Sequence, residues 1–359
     1  MIYEYWLARL RPLADQKKRK LRTCIGNGKE IYYEETKLEK MEFLTKKDIQ
    51  ALREAKKRKN LQEEYEKLIA KGIEFVPYFE ETYPKRLQNA LSPPYALYVK
   101  GKLPGEEIPS VAMVGARNCT PYGEEMALEY GRILSEAGIQ IISGMARGID
   151  GAAQRGALNG GGTTYGVLGC GVDICYPGEH QGLYRDILKE GGLLSEQPPG
   201  EPPLARHFPA RNRIISGLSD MVLVMEARER SGSLITADMA LEEGKDVYAL
   251  PGPATSPASR GCHRLIAQGA GILISPEELL EMFGYKKEKF RQKQDKNEKV
   301  LETTGNIVYS CLGLYPKGID TLARETGLAP SDLMEQLMTL ELQGNIKEIS
   351  RHPYIKVRR

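Results

Sequence analysis

A doubly wound parallel α/β sheet, preceded by a small helical domain and followed by a winged helix, is the fold this 359-residue sequence predicts. Three observations carry the prediction. Residues 101–275 hold 28 of the 37 glycines, and these repeatedly follow short apolar runs. Helix-length segments separate the runs, and that alternation is the pattern of a parallel sheet covered on both faces. Composition shifts on either side, to Lys/Glu-rich sequence over residues 1–72 and to a stretch almost without apolar side chains over 284–299.

Each segment has its own reason. Residues 1–72 carry 19 Lys+Arg and 12 Asp+Glu, a local charge of +7. Between Lys47 and Lys71, Leu52, Leu61, Tyr65, Leu68 and Ile69 form a broken apolar stripe, as short amphipathic helices require. Residues 73–100 read as a connector, where Tyr83-Pro84 and Pro93-Pro94 stop any helix. The runs at 111–114, 139–142, 164–168, 221–225 and 247–250 predict strands, and the segments 122–137, 149–158, 181–190 and 234–243 predict helices. Residues 73–283 thus form a Rossmann-like core with its N-terminal connector, and 284–299 a linker. Residues 300–359 suit a winged helix. Helices are expected over 300–312, over 319–326 ending at Gly327, and over 330–343 with Leu333, Leu337 and Leu340 buried. Strands at 346–349 and 354–357 flank His352-Pro353.

Composition excludes several classes of function. With 41% hydrophobic and 28% charged residues the chain is globular, and no apolar run approaches a membrane span. The start, Met1 to Trp6, lacks the order of a secretory signal. The six cysteines contain no Cys-x-x-Cys and the four histidines no metal-ligand spacing, so no metal, no cofactor and a reducing cytoplasm are expected. The net charge of +3 by itself suggests no nucleic-acid partner. It conceals opposed terms, however: +7 for residues 1–72, 0 for 73–100, −5 for 101–275 and +1 for 276–359.

Chemistry is expected at the carboxyl ends of the strands, where ligands of open parallel sheets bind. Glycine turns there let backbone N–H groups approach an anion, beside helix N-termini. Gly115-Ala116-Arg117 follows the first strand, and Ser143-Gly144 with Arg147-Gly148 the second. Gly169 and Gly171 follow the third; Arg211-Asn212-Arg213 precedes the fourth, and Ser231-Gly232-Ser233 succeeds it. Residues 101–275 use 12 arginines and three lysines, and the arginine fork matches phosphate oxygens. No dinucleotide fingerprint and no P-loop occurs. Several such turns on one sheet edge suit a chain of phosphates. Ser231 or Ser233 with His207 and Asp220 has none of the spacing of a nucleophile elbow. Asp150 is read as capping or orienting the helix after Gly148.

At these residues the sequence resembles the DNA-processing protein A (DprA, or Smf) family. The matching segments include Val114 to Arg117, Ser143 to Asp150, Gly166 to Gly171 leading to Tyr176-Pro177, Ser195-Glu196, Phe208 to Ser219, Ser231 to Ala237 and Ala249 to Gly252. Their order and spacing extend over roughly Val76 to Ile274 and on into the winged helix. The resemblance implies a non-catalytic single-stranded-DNA-binding protein that dimerises, protects incoming DNA in natural transformation and helps load the RecA recombinase. It makes Gly115-Ala116-Arg117 a phosphate-binding turn and Arg211-Asn212-Arg213 a further backbone contact. Two positions depart from the family pattern: Ala116 replaces a usual Ser, and Gln154 a usual His, although Gln can still hydrogen-bond.

Two further expectations come from the residues. With 7% aromatics and one tryptophan, Trp6, outside the core, recognition should be backbone-directed without a stacking platform. The helix at 331–343 carries Asp332, Glu335 and Glu341 and no Lys or Arg, which points to protein rather than phosphate contacts. Two alternatives are a nucleotide phosphoribohydrolase of the cytokinin-activating type and a metabolite-sensing winged-helix regulator. The first requires a Pro-Gly-Gly-x-Gly-Thr turn, which is absent. The acidic helix weighs against the second.

Overall fold

The computed structural model describes residues 1–57, 60–285, 308, 309, 311, 312, 316–348 and 353–356. Strand β3 (Ser110–Gly115) shows how the sequence builds the sheet. Its period of two sends Val111 and Met113 into one apolar cluster and Ala112 and Val114 into another, so both faces must be covered. Helices α7 (Pro121–Glu136), α8 (Ile149–Asn159) and α13 (Pro276–Met282) supply the cover on the Val111 side. Helices α10 (His207–Gly217), α11 (Gly232–Glu242) and α12 (Arg260–Ala267) cover the other.

The remaining strands of this sheet are β1 (Glu74–Pro77), β2 (Ala96–Gly101), β4 (Gln140–Ser143), β5 (Thr164–Val167), β6 (Gly192–Ser195), β7 (Met221–Glu226), β8 (Asp246–Ala249) and β9 (Gly271–Ile272). Their order is β1-β2-β6-β5-β4-β3-β7-β8-β9. From β6 to β9 every pairing is parallel, whereas β1–β2 and β2–β6 are antiparallel. Two expectations are thereby corrected. The sheet is parallel except at one edge, and the connector over 73–100 contributes that edge, with a short helix α6 (Lys85–Gln88) starting after Pro84. Prolines bound these two strands without interrupting their ladder, which is why a proline-rich stretch could still join the sheet. Strand β6 and helix α10 were also absent from the sequence reading.

Residues 1–72 form helices α1 (Ile2–Ala8), α2 (Asp15–Ile25), α3 (Gly28–Tyr33), α4 (Lys46–Lys56) and α5 (Leu61–Ala70). Capping boxes start α3 at Asn27/Glu30 and α4 at Thr45/Asp48. These helices share one apolar cluster with Phe75, Tyr95 and Tyr98 of the antiparallel edge. Trp6 is buried in it, and Tyr5 meets Phe75 edge-on at 5.5 Å. The edge strands thus give the N-terminal helices a surface to bury against.

In the C-terminal region, helix Ile319–Thr326 ends at Gly327 in the left-handed conformation, and helix Pro330–Leu342 buries Leu333, Leu337 and Leu340. Strands Ile346–Glu348 and Pro353–Lys356 pair, and Lys317–Gly318 adds a third strand to the expected hairpin. Residues 286–299 of the expected linker and most of the helix expected at 300–312 lie outside the described residues. Among the described residues no helix is long and apolar enough to cross a membrane.

Candidate nucleic-acid interface

The strand order places one crevice above all others. Successive strands β3 to β6 add in one direction, then the chain returns to lay β7 on the other side of β3. Loops leaving β3 and β7 therefore diverge, and a crevice opens outside their carboxyl ends. A cleft of about 540 Å³ lies there. Its walls include Gly115 and Arg117 after β3, Ala146 and Asp150 after β4, Arg211 and Asn212 of α10, and Ser231 to Ser233 after β7. A narrower shelf continues from it past Gly144, Arg147, Gly169 and Tyr176.

The turns are rigid because their backbone groups are paired within the fold. The Ala116 N–H donates to the Glu226 carbonyl at 2.7 Å, and its carbonyl accepts from the Ile149 N–H at 3.2 Å. The buried Glu226 carboxylate accepts from the Thr120 N–H at 2.7 Å and from the Thr120 hydroxyl at 2.9 Å, so one residue of β7 holds both ends of the first turn. Gly148 adopts φ +69°, which a side chain resists. Ser143 is buried and donates its hydroxyl to the Met113 carbonyl at 2.6 Å, which occupies it in holding β4 to β3.

Four arginines that look equivalent in sequence occupy four different environments. Arg117 forms no ion pair among the described residues and lies 5.2 Å from the centroid of the Phe208 ring. Arg147 is exposed and pairs with Glu179 at 2.8 Å. Arg211 is buried beneath Gly144, where a Cβ would overlap its guanidinium; its Nε and Nη1 have no hydrogen-bond partner among the described residues. Arg213 turns away from the cleft. It pairs with Glu196 at 3.1 Å and reaches Asp15 of α2 at 3.6 Å.

Asp150 is the counter-charge to Arg211. Its buried carboxylate accepts from the N–H groups of Gly144 at 3.1 Å and Ala146 at 3.4 Å, so it orders the turn before α8 rather than capping the helix itself. Burial pushes the Asp150 carboxyl above the usual carboxylate range, opposed by the neighbouring Arg211 and Arg117. Burial likewise draws Arg211 downward against the pull of Asp150.

Other predicted positions shape the cleft. Gly169 packs on Phe208 so closely that a Cβ would stand 2.9 Å from the ring, and the Gly171 N–H donates to the Glu201 carbonyl at 2.9 Å. Asn212 donates to the Gly232 carbonyl at 3.1 Å, and the Ser231 and Ser233 hydroxyls meet at 2.7 Å where α11 begins. Sequence reasoning missed Tyr176 and Phe208 as site residues. Their rings lie 5.6 Å apart and tilted by 34°, so the cleft does hold aromatic surface although the chain is poor in aromatics. Both stood inside motifs already singled out, but low overall aromatic content hid two well-placed rings. Glu226 was also missed; its signal was an acidic residue closing the apolar run 221–225. Gln154 is fully buried, and its amide atoms have no hydrogen-bond partner among the described residues, contrary to the bonding expected of it.

Ser231, His207 and Asp220 do not assemble into a triad. Asp220 precedes β7 and binds Arg86 at 2.8 Å, whereas Ser231 follows β7, a six-residue strand or about 20 Å away. Among the described residues no three His, Cys, Asp or Glu side chains gather as a metal site.

A family model described as DNA recombination-mediator protein A matches residues 74–284, and one for the DprA winged helix domain matches 292–350. Protein Smf of Escherichia coli (strain K12) is 40% identical over 295 residues, covering 79% of this chain and 77% of that protein. DNA processing protein DprA of Streptococcus pneumoniae is 42% identical over 220 residues, covering 60% of this chain and 78% of that protein. The X-ray structure of DprA from S. pneumoniae superposes with a TM-score of 0.69 at 35% identity, over 78% of this chain and 97% of that one. A structure describing the single-stranded-DNA binding mode of DNA processing protein A from Helicobacter pylori superposes with a TM-score of 0.54 at 29% identity, over 59% of this chain and 95% of that one.

Proposed function

The chain belongs to the DNA recombination-mediator protein A (DprA/Smf) family, and on that premise we propose that it binds single-stranded DNA along the phosphate backbone in the cleft between the β3 and β7 loops. The observation that carries this reading is Arg117: a cation without a carboxylate partner among the described residues, at the mouth of a rigid glycine turn, backed by the buried Arg211. A phosphate there gains charge-assisted hydrogen bonds from a planar fork. Sequence tolerance follows, because backbone contacts position a strand without reading bases.

In this reading Gly115, Arg117, Arg211, Asn212, Ser231, Gly232 and Ser233 line the cleft and Gly144, Arg147 and Gly169 the shelf, while Ala116, Gly148 and Gly171 belong to the turns that carry them. Ser143 and Arg213 act through the fold that holds it. The protein works without catalysis in the cytoplasm, protecting incoming DNA and helping to load the RecA recombinase. It acts as a homodimer, and the exposed Ile272, Ile274 and Met282 at the β9 edge are the apolar surface that supports pairing. The domains run 1–72, 73–283 and 300–359, with 284–299 as linker. The winged helix makes protein contacts, because helix Pro330–Leu342 exposes Asp332, Glu335 and Glu341 beside Met338 and Leu342.

One binding series tests this. Single strands are expected to bind more tightly than duplex, with an affinity that falls as salt rises, and removal of residues 297–359 to leave that affinity within a few-fold. A preference for duplex would replace this reading with the regulator.

A further inference from the structure

The N-terminal helices contain a charged face that the cleft does not use. Every described arginine there is occupied within the protein: Arg9 by Glu64, Arg11 by Glu201, Arg22 by Glu4, Arg53 by Glu39 and Arg19 by the Pro93 carbonyl. Lysines behave differently. Lys20, Lys40, Lys46 and Lys47 are exposed and form no ion pair among the described residues. One contact and their chain positions put them in one region. The Lys17–Asp48 pair, at 2.5 Å, ties α2 to the start of α4. The Lys20 ammonium stands 4.6 Å from the centroid of the half-buried Phe43 ring, which Lys40, Lys46 and Lys47 flank in the chain. Of the carboxylates nearby, Asp48 is consumed by Lys17 and Thr45, and Glu39 by Arg53, leaving exposed Glu42 against four cations.

Gathering like charges is unfavourable unless something anionic repays it. Position suggests what that is. Helix α2 begins across α10 from the cleft: Asp15 lies 3.6 Å from Arg213, whose side chain leaves α10 on the side away from the cleft while its neighbour Asn212 lines it. Lys20 follows Asp15 by five residues, about 8 Å along the helix axis. The carboxylates on the way, Glu196 and Asp15, are already paired with Arg213 and Lys18. A polyanion leaving the cleft over α10 therefore meets neutralised ground and then free ammonium groups. Lysine suits this task, since a hydrated point charge on a flexible stem tolerates a moving phosphate.

We infer that the Lys20/Lys40/Lys46/Lys47 face around Phe43 is a second contact surface for the same single strand, engaged only by strands long enough to leave the cleft. The inference rests on the reading of the cleft as a single-strand site. Its test compares oligonucleotides of about 6 and about 30 nucleotides on the full chain and on a Lys20→Gln/Lys46→Gln/Lys47→Gln variant. The expected result is short-strand affinity within twofold of the parent and long-strand affinity down by about tenfold or more. The long-strand salt slope should fall by about two units, at about 0.7 per phosphate contact. The corresponding triple Lys→Arg variant should keep long-strand affinity, which separates lost charge from lost folding. Unchanged long-strand binding with intact short-strand binding would overturn this inference alone, and would leave an acidic protein segment as the occupant of the face. Failure of the parent to bind either length would overturn the cleft reading and this inference with it.

Discussion

The cleft and the N-terminal helices invert each other. Residues 101–275, which build the cleft, carry a net charge of −5, yet at its mouth Arg117 stands without an ion pair among the described residues. Residues 1–72 carry +7, yet their described arginines are all absorbed by carboxylates or a carbonyl, and what remains available is lysine. The difference shows that anion binding depends on which cations lack a partner, not on how many there are. In the cleft that lack is built deeply, with Arg211 buried and incompletely hydrogen-bonded above Asp150. On the N-terminal helices it is a surface property.

Breaking the cleft at its floor should have the largest effect. Asp150→Ala leaves the buried Gly144 N–H and the half-buried Ala146 N–H without their acceptor, at about 1–3 kcal/mol each, and removes the carboxylate that opposes buried Arg211. Thermal unfolding of the core should fall by roughly 10 °C, at about 2–4 °C per kcal/mol for a unit of this size. A shift of only about a degree would mean that Asp150 carries little of the cleft.

Next comes the mouth. Arg117→Ala removes an exposed contact and leaves the packing of the sheet intact. Binding of single strands of every length and sequence should weaken by about tenfold, and the salt slope should flatten by roughly 0.7–1 unit. An unchanged slope, measured by titration at several salt concentrations, would take Arg117 out of the interface. The contrast with the lysine face is sharp: an Arg117 effect is independent of strand length, and the lysine effect is not.

The smallest effect probes the junction between the two regions. Arg11 holds the Glu201 carboxyl below its usual range. Burial pushes Asp173 upward, but the Lys71 contact and the Gly200 N–H outweigh it and leave that carboxyl low as well. Both folded-state values are depressed, so their stabilisation is present above the unfolded values of about 4 and is lost as pH falls through the lower folded values. Each pair is partly exposed and contributes modestly. Trp6, the single tryptophan, lines the same cavity as Glu201 and reports on the junction by fluorescence. Its signal should change below about pH 4 in the parent and at higher pH in a Lys71→Ala variant. Identical curves would exclude Lys71–Asp173 from the junction.

Much of the fold is legible in the sequence because it is local. Period-two runs ending in glycine specify strands and turns, and Gly327 and Pro330 mark helix boundaries where they are found. The edge strands β1 and β2 were hidden by their prolines, and β6 because its apolar run is only Leu193-Leu194 after two glycines. The winged helix was read from its helix spacing, but its third strand, Lys317–Gly318, is two residues long and carries no pattern.

What the sequence by itself determined is the set of parts: a wound sheet whose glycine turns carry Arg117, Arg147, Arg211 and Arg213, and a basic N-terminal segment whose charge the total conceals. Only the tertiary structure decided their use. Strand order placed the β3 and β7 loops across one crevice, and pairing decided which arginines were spent. Glu179 claims Arg147, Asp150 opposes Arg211 from within the core, and Glu196 with Asp15 turns Arg213 toward the N-terminal helices. All four carboxylates lie at least 17 positions from the arginine they face: 32 for Glu179, 61 for Asp150, 17 for Glu196 and 198 for Asp15. An ion pair forms wherever folding brings two charges within a few ångströms, and no local pattern encodes that distance.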